Sequence, residues 1–217
     1  NITAAAGTVN LGTAGNSVGA VSQTGGTTLN ASVVTADSSS SINLGSGSNA
    51  LGTLGTIVRG GQLDVVDGSG GLTVSGPLTG GTISNAVNIA TSGGVLAVNG
   101  NISTGGNNNI VLTSSGGGSG VTQNAGVTVN AGGGTILVDA GGGAANFNAT
   151  SLLTTTNNTA SAVTIRNAAA TSLGNVTANA AGATLALGAG GAISGAITQN
   201  GASVLDVNTL TVNQSGG

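Results

Sequence analysis

The chain has 217 residues and a net charge of −3, with 43 glycines, one proline, no cysteine and no histidine. The missing cysteines exclude a disulfide framework and a cysteine-based metal site, and the acidic balance argues against nucleic acid as a partner. Glycine-rich chains are often disordered, but disorder normally needs low hydrophobicity and high charge, whereas 38% of these residues are hydrophobic and 3% are charged.

Short alternating segments recur along the chain, each followed by Gly, Asn or Ser. Two apolar residues at positions i and i+2 predict a strand with one buried face. In chain order the clearest are residues 63–65, 72–74, 87–89, 96–98, 110–112, 127–129, 136–138, 163–165, 185–187 and 210–212. Glycine pairs and polar clusters interrupt every longer apolar stretch, and an interior Gly costs a helix up to about 1 kcal/mol. We therefore expect an all-β chain with essentially no α-helix.

A phrase that combines an apolar residue, a hydroxyl residue and a glutamine occurs three times. The copies occupy residues 19–23, 120–123 and 195–199. Their glutamines, Gln23, Gln123 and Gln199, are 100 and then 76 residues apart, which fits five rungs of 20 and four of 19. A fixed period of this size is typical of a solenoid, in which each repeat is one coil stacked on the last. We interpret the glutamines as hydrogen-bonding residues at a corner of the coil.

The spacing of Ser84, Ser103 and Thr122, at intervals of 19 residues, supports the same period. The predicted fold is a right-handed parallel β-helix with rungs of about 20 residues, and roughly 11 turns would make a rod of ~50 Å. Glycine pairs such as 60–61 and 93–94 would turn corners with positive φ. We expect residues 1–217 to form a single β-solenoid segment, an internal piece of a longer repeat protein.

The repeat style resembles a known family. Residues 71–76, 173–176 and 191–201 look like the repeats of filamentous-haemagglutinin-like exoproteins, which are bacterial surface adhesins often exported by two-partner secretion. The resemblance covers most of the chain and implies a right-handed parallel β-helix shaft at an extracellular location on the bacterial cell surface. The secretion motifs that the family carries at its N-terminus have no counterpart in these residues.

One group of charged residues could carry chemistry. A β-helical lyase or glycosidase needs clustered carboxylates, and Asp64 and Asp67, near Arg59, are the only candidates. Alternation predicts that Asp64 points outward into solvent, and the sequence Asp-Gly-Ser-Gly predicts that Asp67 opens a turn. Arg166 is interpreted as solvent-facing. We therefore predict a protein that is not an enzyme and has no catalytic, cofactor-binding or metal residue. A single calcium ion at Asp64 and Asp67 is the alternative.

Three hypotheses for function remain. The first is a structural shaft of a secreted or surface-attached adhesin, which holds a distal binding region away from the cell. The second is an extracellular filament or matrix, because an open coil end exposes strand groups that can template another subunit. The third is an ice-type surface-binding solenoid, which needs Thr-x-Thr in register on consecutive turns, and only Thr209 and Thr211 show this clearly.

The predicted partners are other copies of the chain or flanking repeats through the open coil ends. A host or neighbouring-cell surface would be contacted through regions outside the chain. Because no run of 18 apolar residues occurs, we expect no membrane-spanning segment.

Overall fold

The structure, a computed structural model, describes residues 1–80 and 86–216, which form 24 strands and no helix. The chain winds as a parallel β-solenoid of about nine turns. Each turn passes through three faces, and strands of one face stack on one another along the rod. Every pairing between these strands is parallel. The predicted all-β solenoid is confirmed, while its right-handedness stays a prediction.

The strands fall into three sets, one for each face. Face 1 holds β1 (Ile2–Leu11), β3 (Leu29–Ser38), β5 (Ala50–Arg59), β7 (Leu72–Val74), β10 (Val95–Val98), β13 (Gly120–Gln123), β16 (Ala144–Phe147), β19 (Ala170–Leu173) and β22 (Ile197–Gln199). Face 2 holds β8 (Leu78–Gly80), β11 (Ile102–Ser103), β14 (Thr128–Asn130), β17 (Leu152–Thr154), β20 (Asn175–Ala178) and β23 (Leu205–Val207). Face 3 holds β2 (Val21–Ser22), β4 (Ile42–Leu44), β6 (Leu63–Asp67), β9 (Val87–Ser92), β12 (Ile110–Ser115), β15 (Ile136–Asp139), β18 (Val163–Arg166), β21 (Thr184–Leu187) and β24 (Thr209–Val212).

Faces 1 and 2 belong to one 15-stranded sheet, and face 3 is a separate sheet of nine strands. The two faces are continuous because the long strands β1, β3 and β5 serve both. The ends of β5 show this directly, since its first half pairs with β7 and its second half with β8.

The register corrects the predicted rung length. One inward column of face 3 consists of Val21, Ile42, Leu63, Val87, Ile110, Ile136, Val163, Leu185 and Leu210. Its first steps are 21 residues and its later steps are longer, so the rungs average about 24 residues and not 20. Nine turns at ~4.8 Å give a rod of about 43 Å, shorter than predicted.

The added residues lie at two corners of the coil, the one between faces 1 and 2 and the one between faces 2 and 3. In the early rungs a single ten-residue strand, such as β3 or β5, runs through both faces without a turn. From β7 onward separate strands form the two faces, most of them joined by a turn, as between β13 and β14. The corner between faces 2 and 3 lengthens as well, since the inward residues Ile57 and Leu63 are six residues apart and Leu153 and Val163 are ten apart. Ser103 lies on face 2 and Thr122 on face 1, so their 19-residue spacing is not a rung; Ser84 lies outside the described residues.

The core fills the inside of the coil. Inward Leu, Ile, Val and Ala side chains stack in columns, and residues such as Val74, Leu96 and Ile110 are fully buried. The only aromatic side chain, Phe147, lies in a column of face 1 directly above Gln123. Each rung therefore buries its apolar residues against the rungs above and below, which makes neighbouring rungs mutually dependent.

Glycine has two different roles at the corners. Gly93, of the pair 93–94, has a φ of 81°, as predicted for a corner. Gly60 and Gly61 do not have positive φ; they are needed because the rung below comes too close for a side chain. A Cβ at Gly60 would lie 2.2 Å from the carbonyl oxygen of Ser39.

Candidate functional site

The three recurrent glutamines form the same local contact. Each donates its side-chain amide to the carbonyl oxygen four residues later: Gln23 to Thr27 at 3.1 Å, Gln123 to Val127 at 2.8 Å, and Gln199 to Ser203. In each case a backbone hydrogen bond from residue i+4 to residue i+1 closes the turn. The interpretation of these glutamines as hydrogen-bonding residues in turns is confirmed, but they do not mark one corner: Gln23 lies between faces 3 and 1, whereas Gln123 and Gln199 lie between faces 1 and 2.

The glutamines do not measure the rung length. Gln23 follows β2 on face 3, where its backbone N–H donates to Asn43 of β4 at 2.9 Å. Gln123 and Gln199 both end strands of face 1, and β16 and β19 lie between these strands. Their 76 residues therefore span three rungs, and the 100-residue gap joins two different faces.

Arg59 is buried inside the coil, with 1% of its surface exposed. Its guanidinium donates to the carbonyl oxygen of Gly61 at 2.8 Å and packs against Gly80, where a Cβ would lie 3.0 Å from Nη1. The glycine in the next rung thus leaves the space that the guanidinium occupies. Burial lowers the pKa of Arg59 to about 10, because the charged form is disfavoured away from water.

The structure does not bring Asp64 and Asp67 together. Asp64 points outward from β6 and is half-buried, whereas Asp67, at the end of the same strand, is fully buried on the inward side. One carboxylate oxygen of Asp67 accepts from the backbone N–H of Leu51 at 2.9 Å, and the other accepts from the hydroxyl of Thr91 at 2.7 Å. The prediction that Asp67 is a turn former was wrong.

The burial of Asp67 could have been found in the sequence. Leu63, Val65 and Asp67 continue one alternation, so a strand that reaches Asp67 turns its carboxylate inward. Because the two carboxylates lie on opposite sides of β6, they cannot share a calcium ion without rearrangement. Among residues 1–80 and 86–216 no group of three or more His, Cys, Asp or Glu side chains could hold a metal ion.

Arg166 is outward-facing, as predicted, but it is also paired. Its Nε donates to Asp139 of the rung below at 2.8 Å, and Asn167 donates to both oxygens of the same carboxylate at 3.0 and 2.9 Å. The arginine side chain is 33% exposed. An ion pair this close to water contributes about 0–1 kcal/mol to the free energy of unfolding. Its main effect is therefore to orient the side chains where the two rungs meet.

The remaining acids lie at opposite ends of the rod. Asp37, in β3, accepts a hydrogen bond from Ser17, and Asp206, in β23, accepts one from Asn179 at 2.7 Å. In each case the donor lies in the rung below. Apart from Asp64, every described carboxylate thus accepts a hydrogen bond from a neighbouring rung.

The outer surface of face 1 carries a row of side chains that are all polar except for one alanine. The aligned residues are Thr53, Thr73, Ala97, Thr122, Asn146, Ser172 and Thr198. Thr211, by contrast, belongs to a row of face 3 that includes Val111 and Leu137. The Thr-x-Thr pair that suggested surface binding is therefore not repeated on successive turns.

The two ends of the described coil expose the inside of the rod. At the first rung, Leu11, Val21 and Gln23 line an apolar concavity of about 230 Å³. At the last rung, Leu210 and Val212 are 48% and 54% exposed although the residues below them in the same columns are buried. In the part of the chain that the structure describes, no strand pairs with the outer edges of these rungs.

No family model, curated protein or solved structure matches the chain. No described helix is long and apolar enough to cross a membrane.

Proposed function

We propose that the chain is a non-catalytic segment of the β-helical shaft of a large secreted or surface-attached bacterial adhesin. The observation that supports this most is the continuity of the interior columns. The face 3 column from Val21 to Leu210 and the face 2 column from Leu11 to Leu205 both pass through all nine turns without a gap.

Such columns suit a mechanical role. Each rung is held by main-chain hydrogen bonds parallel to the rod and by apolar contacts with its two neighbours, so load along the rod is shared by the same contacts in every turn. Two of the charged side chains also join neighbouring rungs: Asp67 accepts a hydrogen bond from Thr91 of the next rung, and Asp139 pairs with Arg166 of the next rung. The repeat style of adhesin shafts, noted in residues 71–76 and 191–201, supports the extracellular setting.

Pulling along the rod tests the mechanical part of the proposal. The chain has no cysteine, so Thr24→Cys and Ser215→Cys, both in exposed turns or ends, give unique handles for optical tweezers. We expect extension in steps that each release one rung, about 80 Å of contour for 24 residues at ~3.4 Å each. Gradual extension without steps would contradict a load-bearing coil.

Surface labelling tests the location. Antibodies against the folded chain should bind intact, unpermeabilised cells that produce it, and external protease should remove the signal. Labelling that requires permeabilised cells would contradict the surface proposal while leaving the mechanical result unaffected.

A further inference from the structure

Seven Asn-x-Ser/Thr sequences occur in the chain, and each has the form of an acceptor motif for an N-linked sugar. They begin at Asn1, Asn30, Asn101, Asn148, Asn157, Asn175 and Asn213. A chain with this many Asn, Ser and Thr residues contains about as many by chance, so the motif alone selects none of them. The structure distinguishes them, because a transferase must reach the side-chain NH₂ group from solvent.

Six of these asparagines are held by strands or by bonds between rungs. Three stand in a strand or directly before one, which keeps the motif extended: Asn1, Asn30 and Asn101. In the other three the NH₂ group already donates to carbonyl oxygens of the rung below, at 2.9–3.1 Å: Asn157, Asn175 and Asn213. Modifying these side chains would require that strands or bonds between rungs open first.

Asn148 differs from the other six because it lies in an exposed turn with its NH₂ group unbonded. The turn joins β16 to β17 at the corner between faces 1 and 2, and the backbone N–H of Ser151 donates to the carbonyl oxygen of Asn148 at 2.9 Å. The side-chain oxygen of Asn148 accepts from the backbone N–H and from the hydroxyl of Thr150, at 3.1 and 3.2 Å. Both residues are exposed, and within the described residues the NH₂ group of Asn148 has no hydrogen-bond partner.

The neighbouring rungs leave room beside this side chain. In the rung above, the residue over Asn148 is Gly174, where a Cβ would lie 2.3 Å from the carbonyl oxygen of Asn148. An open groove of about 280 Å³ runs beside the turn, and its lining includes Asn124, Asn146 and Ser172. No residue that lines the groove is charged. Neutral amide and hydroxyl groups can both donate to and accept from the hydroxyls of a sugar.

From this turn and groove we propose that Asn148 carries an N-linked sugar, which lies against the groove at the corner between faces 1 and 2. The co-reactant is a sugar activated by a nucleoside diphosphate, and a transferase of the producing cell supplies the base. The Nδ2 atom of Asn148 bonds to the anomeric carbon, the bond from that carbon to the diphosphate breaks, and Nδ2 gives one proton to the base. The Thr150 hydroxyl assists, because its hydrogen bond stabilises the negative charge that develops on the amide oxygen. The inference goes beyond the shaft role, which needs no modification.

The modification can be read directly on the chain isolated from the cells that naturally produce it. Mass spectrometry with a fragmentation method that keeps sugars attached should place a sugar on Asn148 and none on the strand residues Asn30 and Asn175. An unmodified Asn148 would overturn the inference, and so would sugars on the strand asparagines at the same level. Neither result touches the shaft proposal, which rests on the interior columns.

A reaction in vitro tests why Asn148 is selected. A soluble N-glycosyltransferase that modifies free peptides of residues 144–152 and 171–179 is given UDP-glucose and the folded chain. Because Asn175 can react only when its rung opens, we expect it to be modified at least ~10-fold more slowly than Asn148 in the folded chain. Thr150→Ser should remain a substrate, and Thr150→Val, with its fold checked by circular dichroism, should not. Equal rates at Asn148 and Asn175 in the folded chain would overturn the inference.

Discussion

Replacing Asp67 by alanine tests whether buried polar side chains hold neighbouring rungs together. The substitution leaves the N–H of Leu51 and the hydroxyl of Thr91 without their acceptor, and both residues are buried. A buried group without a partner costs about 1–3 kcal/mol, so the loss should be ~2–6 kcal/mol. That is a large part of the 5–15 kcal/mol that is typical of a folded domain.

Asparagine at the same position separates hydrogen bonding from volume. In Asp67→Asn the amide oxygen can still accept from Leu51, and its NH₂ can donate to the Thr91 hydroxyl, which is also an acceptor. We expect a cost below ~1 kcal/mol. The native chain already contains an asparagine in such a role: the side-chain oxygen of Asn49 accepts a hydrogen bond from the backbone N–H of Leu29 at 2.9 Å.

Urea unfolding at pH 7 measures these costs, and hydrogen exchange at the Leu51 amide reports the contact itself. Asp64→Ala, on the outward side of the same strand, is the matched control and should change stability by no more than about 0.5 kcal/mol. The reasoning is refuted if Asp67→Ala is as stable as the unaltered chain, or if asparagine is as damaging as alanine.

Three further predictions concern the rungs, the buried arginine and the outer surface. Removing residues 96–120, one complete rung, would bring Leu72 into register with Val121, so the variant should stay folded and its rod should shorten by ~4.8 Å in small-angle scattering. Removing residues 96–107, only part of a rung, should abolish the β circular dichroism signal. Equal tolerance of both deletions would contradict the column register. Burial lowers the pKa of Arg59 to about 10, so between pH 10 and 12.5 the unfolded chain binds more protons than the folded chain. The free energy of unfolding of the unaltered chain, relative to that of Arg59→Met, should therefore rise across that window. A constant difference between the two chains would show that the guanidinium is solvated. Thermal hysteresis should be absent, since Thr211 lacks an in-register threonine array, and a measurable freezing-point gap would revive the ice-type hypothesis.

The sequence predicts the architecture well because the solenoid repeats its signals locally. Two apolar residues at i and i+2 mark nearly every inward pair, and the turn chemistry of Gln123 and its two counterparts is contained within five residues. Such features need no knowledge of the neighbouring rung.

The rung length and the buried charges depend on contacts between rungs, and these were missed. The length of a rung is set by how many residues its corners hold, both where a strand such as β5 runs through two faces or stops, and between faces 2 and 3, and a short repeated phrase does not reveal this. Arg59 is buried because Gly80, in the next rung, has no side chain, and that contact becomes visible only when the register is known.

The distance between the two ends of one outward row tests the central claim that the chain is a stiff nine-turn rod. Ser22 and Thr211 are exposed and begin and end a row of nine aligned residues on face 3, so they are eight rungs apart. Spin labels on Ser22→Cys and Thr211→Cys, diluted with unlabelled chain, should give a narrow pulsed-EPR distance centred near 38 Å at ~4.8 Å per rung. A broad distribution, or a centre beyond about 45 Å as rungs of 20 residues require, would contradict the nine-turn rod.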